Sequence, residues 1–397
     1  MCDEVEKFMK YCSDSHAICQ VGCYDSDLDL FECQYVVPDG ISYNSYVILD
    51  KKVAVLDTID PRKSEEWMDN LERALAGREP DYLVIHHMEP DHSGNVARLA
   101  GRYPGMKLVG NAKTFLMLTQ FTGESYEGRT VEVKEGDVLE LGGHSLKFLM
   151  APMVHWPEVM ASYEQTEKVL FSADGFGRFG NPEESLPWED EARRYYANIV
   201  GKYGVQVQAL LKKAAGLDIQ RICPLHGPVL TGEGMARALE LYDLWSRYQP
   251  EERGVLVAFA SIHGHTAQAA RELVDMLRGL GVETRLFDLA REDWAEAVAQ
   301  AFRYSGMVLA ASSYDAGVFT PMAQFLYRLK IKNLQNRVVG LVENGSWGPT
   351  ALRTMQASLA ELKNMTVMEP TVTIRSALNA DSRAQLEQLA QAMAGAV

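Results

Sequence analysis

The stretch Ile85-His86-His87-Met88-Glu89-Pro90-Asp91-His92-Ser93-Gly94 places three imidazoles and two carboxylates directly behind an apolar run. In the pattern His87-x-Glu89-x-Asp91-His92, alternate residues of extended backbone point the same way. His87, Glu89 and Asp91 therefore converge on one side, and His92 joins them after a turn. That set is enough to begin two metal sites. The competing reading is a polar loop in which Asp and Ser cap a helix, and the rest of the chain decides between the two. Residues 151–157 form a strand end that turns on Pro152 and Pro157 and presents His155. Residues 169–177 are an apolar strand that ends in Asp174, and residues 222–228 repeat the strand, histidine and tight turn with His226. Taken singly, His155 or His226 is more often a structural histidine. Jointly, five of the nine histidines and three carboxylates stand where strands stop, the usual place for ligand sites. His86 and His144 are left as structural.

The elements that must carry these residues follow from periodicity and turn chemistry. Short strands are predicted at 17–21, 46–49 and 53–56, separated by Pro38-Asp39-Gly40 and Asp50-Lys51-Lys52. Ser64 is expected to cap a helix with apolar spacing at Trp67, Leu71 and Leu75, ending near Gly77. A strand at 82–86 delivers the histidine-rich loop, and a helix runs from Ser93 to about Arg102. Strands at 130–133, 138–141 and 144–150 and a long helix at 189–214 complete a layered α/β arrangement of two sheets with helices outside.

The texture changes after Tyr248-Gln249-Pro250-Glu251-Glu252-Arg253. Residues 254–260 are a continuous apolar run, as in a parallel strand buried on both faces. Strand and helix then alternate through 283–288, 292–302, 306–311, 322–330, 337–342, 351–362, 366–373 and 380–394, which predicts a doubly wound sheet of five parallel strands. The expected division is therefore residues 1–249 and 250–397. The loop Ser261-Ile262-His263-Gly264-His265-Thr266 follows the first of these strands and opens a helix, where backbone N–H groups and hydroxyls favour a phosphate. Two later loops lie on the same sheet edge: Ser312-Ser313-Tyr314-Asp315-Ala316-Gly317-Val318-Phe319 and Glu343-Asn344-Gly345-Ser346-Trp347-Gly348. Their small residues let backbone approach a planar ring, and Tyr314 and Trp347 can cover its faces. FMN is the expected cofactor.

A net charge of -15 argues against nucleic acid or an anionic membrane surface as partner. The N-terminal residues lack the basic start and apolar run of a signal peptide, and no apolar span reaches membrane length, so a cytoplasmic protein is expected. In that setting Cys2, Cys12, Cys19, Cys23, Cys33 and Cys223 are expected to be free thiols. No C-x-x-C pair occurs, so electrons must come from another molecule.

The order H-x-E-x-D-H, His, Asp, His resembles the diiron branch of the metallo-β-lactamase fold found in flavodiiron proteins, also called A-type flavoproteins. Zinc hydrolases of that fold carry H-x-H-x-D-H, so Glu89 marks the departure: a carboxylate in place of an imidazole favours iron. The flavin loops, residues 193–198 and residues 217–220 are similar to family sequence too, in the order of the two-domain class. The resemblance implies a metallo-β-lactamase-like αββα sandwich followed by a flavodoxin-like domain. It implies one iron on His87, Glu89 and His155, a second on Asp91, His92 and His226, and Asp174 as a bridge. It further implies FMN-fed reduction of dioxygen to water, of nitric oxide to nitrous oxide, or both. The expected donor is external: a rubredoxin, a flavin reductase or a reduced deazaflavin. Because the family's two centres lie far apart within one chain, a head-to-tail homodimer or a dimer of dimers is implied. Two rival readings stand beside this one, a zinc hydrolase fused to a flavodoxin domain and a non-catalytic flavin electron carrier.

Overall fold

The computed structural model describes residues 10–183 and 186–397. It divides into two compact units, residues 1–195 with 205–243, and residues 196–204 with 244–397.

In the first unit a seven-stranded sheet runs in the order Lys10–Tyr11, Ile18–Gln20, Tyr46–Leu49, Val53–Leu56, Tyr82–Val84, Lys107–Gly110 and Thr130–Glu132. A six-stranded sheet follows the order Val138–Glu140, Ser145–Met150, Met160–Glu164, Val169–Phe171, Arg221–Cys223 and Leu230–Thr231. Tyr46, Ile48, Leu56, Val84 and Val109 of the first pack with Leu146, Phe148, Met160, Val169 and Phe171 of the second in one buried cluster. The sheets thus face each other across an apolar layer, as alternation of inward residues requires.

The chemistry sits at one end of this sandwich because parallel pairing aligns strand ends. Val53–Leu56 pairs in parallel with Tyr82–Val84, and Val169–Phe171 with Arg221–Cys223. Two neighbouring strands in each sheet therefore stop at the same edge and release loops there.

Several local expectations are revised. Ser64 is the first residue of the helix Ser64–Leu75 rather than its cap; Asp60 instead accepts from Arg62 N at 2.8 Å and opens a short 3-10 turn at Pro61–Lys63. The predicted helix from Ser93 is a single turn, Pro90–Ser93, followed by Val96–Arg102. The strand Lys107–Gly110 and the helix Ala112–Thr122 complete the unit; the helix is opened by a reciprocal Asn111–Thr114 cap. The long helix at 189–214 is broken, with a wide π turn at Tyr196–Val200 and a 3-10 turn at Gly201–Tyr203 between Glu189–Tyr195 and Gly204–Ala214. The break has a tertiary cause. In the second unit Asn198 donates to Ala295 O at 3.0 Å and the Tyr196 ring packs 5.2 Å from Trp245, so this turn obeys packing rather than helical periodicity.

The second unit is a doubly wound sheet. Its strands run Thr284–Asp288, Glu252–Ala260, Tyr304–Tyr314 and Arg337–Asn344, with the fifth position split into Met365–Val367 and Val372–Ile374. All of these pairs are parallel, and Gly317–Val318 adds a short antiparallel hairpin to Tyr304–Tyr314. Cys12, Cys19, Cys23, Cys33 and Cys223 are free thiols as expected; Cys2 lies outside the described residues. No helix among the described residues is long and apolar enough to cross a membrane.

Candidate functional site

The strand Tyr82–Val84 is prolonged by Ile85 N donating to Val109 O at 2.9 Å, which carries the backbone straight into His86 and His87. Pro90 then starts a helical turn with Glu89 still extended, at φ -59 and ψ 137. This one change of backbone state sends Glu89 towards one ligand group and Asp91 with His92 towards the other. The loop bearing Asp174 is held by Ser172 Oγ donating to Gly175 O at 2.6 Å and Leu225 N donating to Ala173 O at 2.9 Å. His226 is set by Asn44, whose Nδ2 donates to both Pro224 O and Gly227 O at 2.8 Å.

All seven predicted ligand residues come together. His87, Glu89, His155 and Asp174 form one group and Asp91, His92 and His226 another, with ligand atoms in each group within 4.8 Å of one another. Asp174 divides its carboxylate between them. Its Oδ2 lies 2.9 Å from His155 Nε2 and 3.5 Å from His87 Nε2, while its Oδ1 lies 3.1 Å from His92 Nε2. Glu89 Oε2 sits 3.1 Å from His155 Nε2 and 3.2 Å from His87 Nε2. Asp91 Oδ2 is 3.3 Å from both His92 Nε2 and His226 Nε2. Separations of this size are the edges of a coordination polyhedron with bonds of about 2.1 Å.

The polar bookkeeping fits a cation too. Both carboxylate oxygens of Asp91, Oδ1 of Asp174 and Nδ1 of His92 are buried without any hydrogen bond. Orphaned carboxylate oxygens at this depth are costly unless a metal satisfies them. In the metal-free chain, protons take its place. Burial alone would push the His87 imidazole down, but the Asp174, Glu158 and Glu89 carboxylates outweigh it and hold the group well above its ordinary value. His155, also opposed by burial, is pushed up to about 9 by hydrogen bonds to Asp174 and Glu89. Burial would raise Glu89 and Asp174, yet the surrounding imidazoles hold both carboxyls well below the usual carboxylate range.

Sequence reasoning missed the groups that orient the ligands. Glu158 accepts from His87 Nδ1 and from Met88 N, both at 2.8 Å, and Ser42 O accepts from His226 Nδ1 at 2.7 Å. Each bond fixes a ring proton on Nδ1 and turns Nε2 towards the cluster. Glu158 is legible only in three dimensions, since nothing about a lone Glu after Trp156-Pro157 points to His87. His226 is walled by Phe31, Tyr43 and Tyr195 at centroid distances of 5.4, 6.0 and 5.5 Å. The Tyr195 hydroxyl is buried without a partner, and burial, with the Asp174, Asp91 and Glu89 charges, raises the phenol far above its ordinary range. His86 and His144 stay outside both groups as expected: His86 donates from Nδ1 to Asp57 at 2.6 Å, and His144 is bound to Asp50 at 2.9 Å.

In the second unit the three predicted loops line one cavity of about 640 Å³, within the size range of cofactor sites. Ser261, Ile262, His263, His265, Thr266, Ser312, Ser313, Tyr314, Asp315, Asn344, Gly345, Ser346, Trp347 and Gly348 all stand in its wall. Gly264 and Gly317 are not wall residues. Gly264 turns the phosphate-type loop at φ +90, with its N–H on Ser261 Oγ at 3.1 Å, and Gly317 O accepts from Thr350 at 2.7 Å. At Gly345 a Cβ would fall 2.8 Å from Pro349 Cα, so only glycine fits that wall. Ala316 of the second loop stands there too, whereas Thr350 and Ser376 were not anticipated. Ser376 arrives from beyond the last strand, tied by Asn344 Nδ2 donating to Ser376 O at 2.9 Å.

Comparison with known proteins gives the same two-part fold. The family model described as the ODP family β-lactamase matches residues 41–227, a span that contains all seven residues of the two ligand groups. The anaerobic nitric oxide reductase flavorubredoxin of Pectobacterium atrosepticum is 28% identical over 347 residues, covering 84% of this chain and 67% of the relative. Among solved structures, the rubredoxin oxygen:oxidoreductase of Desulfovibrio gigas superposes with a TM-score of 0.90 at 24% identity, covering 98% of each chain. The flavodiiron protein of Giardia intestinalis does so with a TM-score of 0.88 at 24% identity, covering 96% of this chain and 94% of that one. These structures establish the shared fold, a metallo-β-lactamase-like sandwich followed by a flavodoxin-like sheet. The paired ligand groups, the glutamate in the second ligand position and this chain-length likeness of fold make the chain similar to flavodiiron proteins throughout.

Proposed function

We propose that the chain is an oxidoreductase that reduces dioxygen to water, nitric oxide to nitrous oxide, or both, at a diiron site fed by FMN. The observation that carries this reading is the division of Asp174 between two ligand groups, one of which contains Glu89. In the loaded protein His87, Glu89 and His155 would hold one iron, Asp91, His92 and His226 the other, and Asp174 would bridge them. Such a pair binds a diatomic molecule and shares out its charge, while the flavin accepts an electron pair and passes electrons singly. The residues supply the rest. Glu89, Asp91 and Asp174 bring three negative charges to a buried site, which offset most of the charge of a ferrous pair. Glu158 and the Ser42 carbonyl occupy Nδ1 of His87 and His226, so Nε2 would be the ligating nitrogen of each, and the rings of Phe31, Tyr43 and Tyr195 pack around His226.

We assign the metal chemistry to residues 1–249 and the flavin chemistry to 250–397, with the cavity between the three loops as the FMN site. The external donor is proposed to be a rubredoxin, in keeping with the rubredoxin in the names of the two relatives, and the working form a head-to-tail dimer in the cytoplasm. The deciding experiment is anaerobic stopped-flow of the reduced, iron-loaded protein mixed separately with dioxygen and nitric oxide. Rapid flavin reoxidation by at least one gas is expected; silence towards both, with stoichiometric zinc and ester or lactam cleavage, would replace the reading with the hydrolase. Sustained turnover by a monomer proven by sedimentation would remove the dimer.

A further inference from the structure

The cavity of the second unit has an uneven charge balance. Its walls come from four segments: the loop between Glu252–Ala260 and the helix His265–Gly279, the end of Tyr304–Tyr314 with its hairpin turn, residues 344–350, and Ser376. Across all four, the titratable side chains in the wall are His263, His265, Tyr314 and Asp315, and no lysine or arginine is among them. The chain as a whole carries -15. A phosphate monoester brings about -1.5 to -2 at neutral pH. A helix N-terminus answers with roughly half a positive charge, and Asp315 adds a further negative one. The deficit falls on the two imidazoles. Both are exposed and flank Gly264 at the start of the helix, and neither is held by a hydrogen bond or ion pair to another described residue.

We propose that His263 and His265 are the counter-charge of the flavin phosphate, selecting a phosphorylated flavin over riboflavin and coupling cofactor retention to pH. The inference rests on the FMN reading above. Imidazole is the side chain that changes charge between about pH 5 and 8, whereas the second phosphate ionisation lies near 6. Above about pH 6 a phosphate monoester is chiefly dianionic, whereas an imidazole gives up its charge as pH rises towards 8. FMN affinity therefore falls with rising pH, and each FMN released carries proton release with it. Riboflavin, which lacks the phosphate, is indifferent.

The test titrates the full chain, freed of flavin, with FMN and with riboflavin at about pH 6.5 and 8.5, following quenching of flavin fluorescence. The wild type is expected to lose at least about tenfold in FMN affinity over this interval, the size of a typical charge coupling, and to bind riboflavin unchanged. His263→Gln with His265→Gln should bind FMN more weakly at the lower pH and show no pH dependence. His263→Lys with His265→Lys should keep tight FMN binding at both values. Because both side chains are exposed, neither double variant removes core packing. A glutamine pair with wild-type FMN affinity and pH profile would overturn the proposal, as would riboflavin following the same profile as FMN. Failure of every form to bind either flavin would instead overturn the FMN reading itself.

Discussion

His87, His92 and His226 have no exposed surface and Asp174 only 1%, whereas Trp347 and Tyr314 at the cavity of the other unit are 95% and 47% exposed. The contrast follows from what each region has to hold. Carboxylates and imidazoles taken out of water must be satisfied by a cation, so their positions are locked by strand ends, a proline-started turn and acceptors such as Glu158 and Ser42. A flat cofactor needs backbone that comes close and an aromatic that closes over it. That wall is assembled from loops, with hydroxyls, glycines and an uncommitted tryptophan. One region is over-determined before its ligand arrives, and the other is completed by it.

The contrast is broken most directly at Asp174. Asp174→Ala removes the one carboxylate among the described residues that reaches both groups, and iron affinity should fall by more than about 100-fold, the upper range seen for outer-shell changes. Anaerobic iron titration with spectroscopy of the metal pair reads this out, and two irons bound at wild-type affinity would abolish the bridging role. Glu158→Gln leaves every candidate ligand in place and should still weaken iron binding by about 10–100-fold, because a neutral amide oxygen replaces the charged acceptor on His87 Nδ1. An unchanged affinity would mean that the ligand cage alone positions the ring.

The third prediction concerns pH and the metal-free chain. His155 is raised above its ordinary value to about 9, so its pairing with Asp174 and Glu89 stabilises the fold fully below the unfolded value of about 6.5. That contribution is lost as pH rises to about 9. The Tm of the metal-free protein should therefore drop by several degrees over the interval. The iron-loaded protein should show the opposite tendency, since metal binding releases those protons and gains as pH rises. Parallel Tm profiles for the two forms would refute the competition between protons and metal.

At the cavity the effects are smaller. Trp347→Ala should cost up to about tenfold in FMN affinity, the scale of one aromatic stacking contact, and leave iron binding intact. Smallest in effect is thiol chemistry. Burial pushes Cys19 and Cys23 up to about 12, so the native protein should leave both unalkylated at neutral pH while exposed Cys33 reacts; labelling of Cys19 before unfolding would show the sandwich to be looser than described.

How far the chain could be read in advance differs between these regions. The seven residues of the two candidate ligand groups were legible because each is a strong metal-binding type at the end of an apolar strand, and the fourteen residues that stand in the cavity wall were legible because doubly wound sheets gather loops at one edge. What escaped had no local mark. Glu158, Ser42 and Asn44 are ordinary polar residues whose partners lie far along the chain, and Ser376 enters the cavity from beyond the last strand. The turn at Tyr196–Val200 escaped for the same reason, because Asn198 and Tyr196 answer to tertiary partners and not to their neighbours in sequence.

By itself, the order of residues determined the ligand inventory, the replacement of an imidazole by Glu89 and the alternation that builds two α/β units. Those are properties of side-chain type and period, which survive without coordinates. Only the tertiary structure decided that Asp174 gives one oxygen to each ligand group, which nitrogen of His87 and His226 faces the cluster, and that among the described residues the cavity wall holds two histidines and no lysine or arginine. Such facts depend on separations of about 3 Å between residues distant in the chain, and packing alone sets those distances.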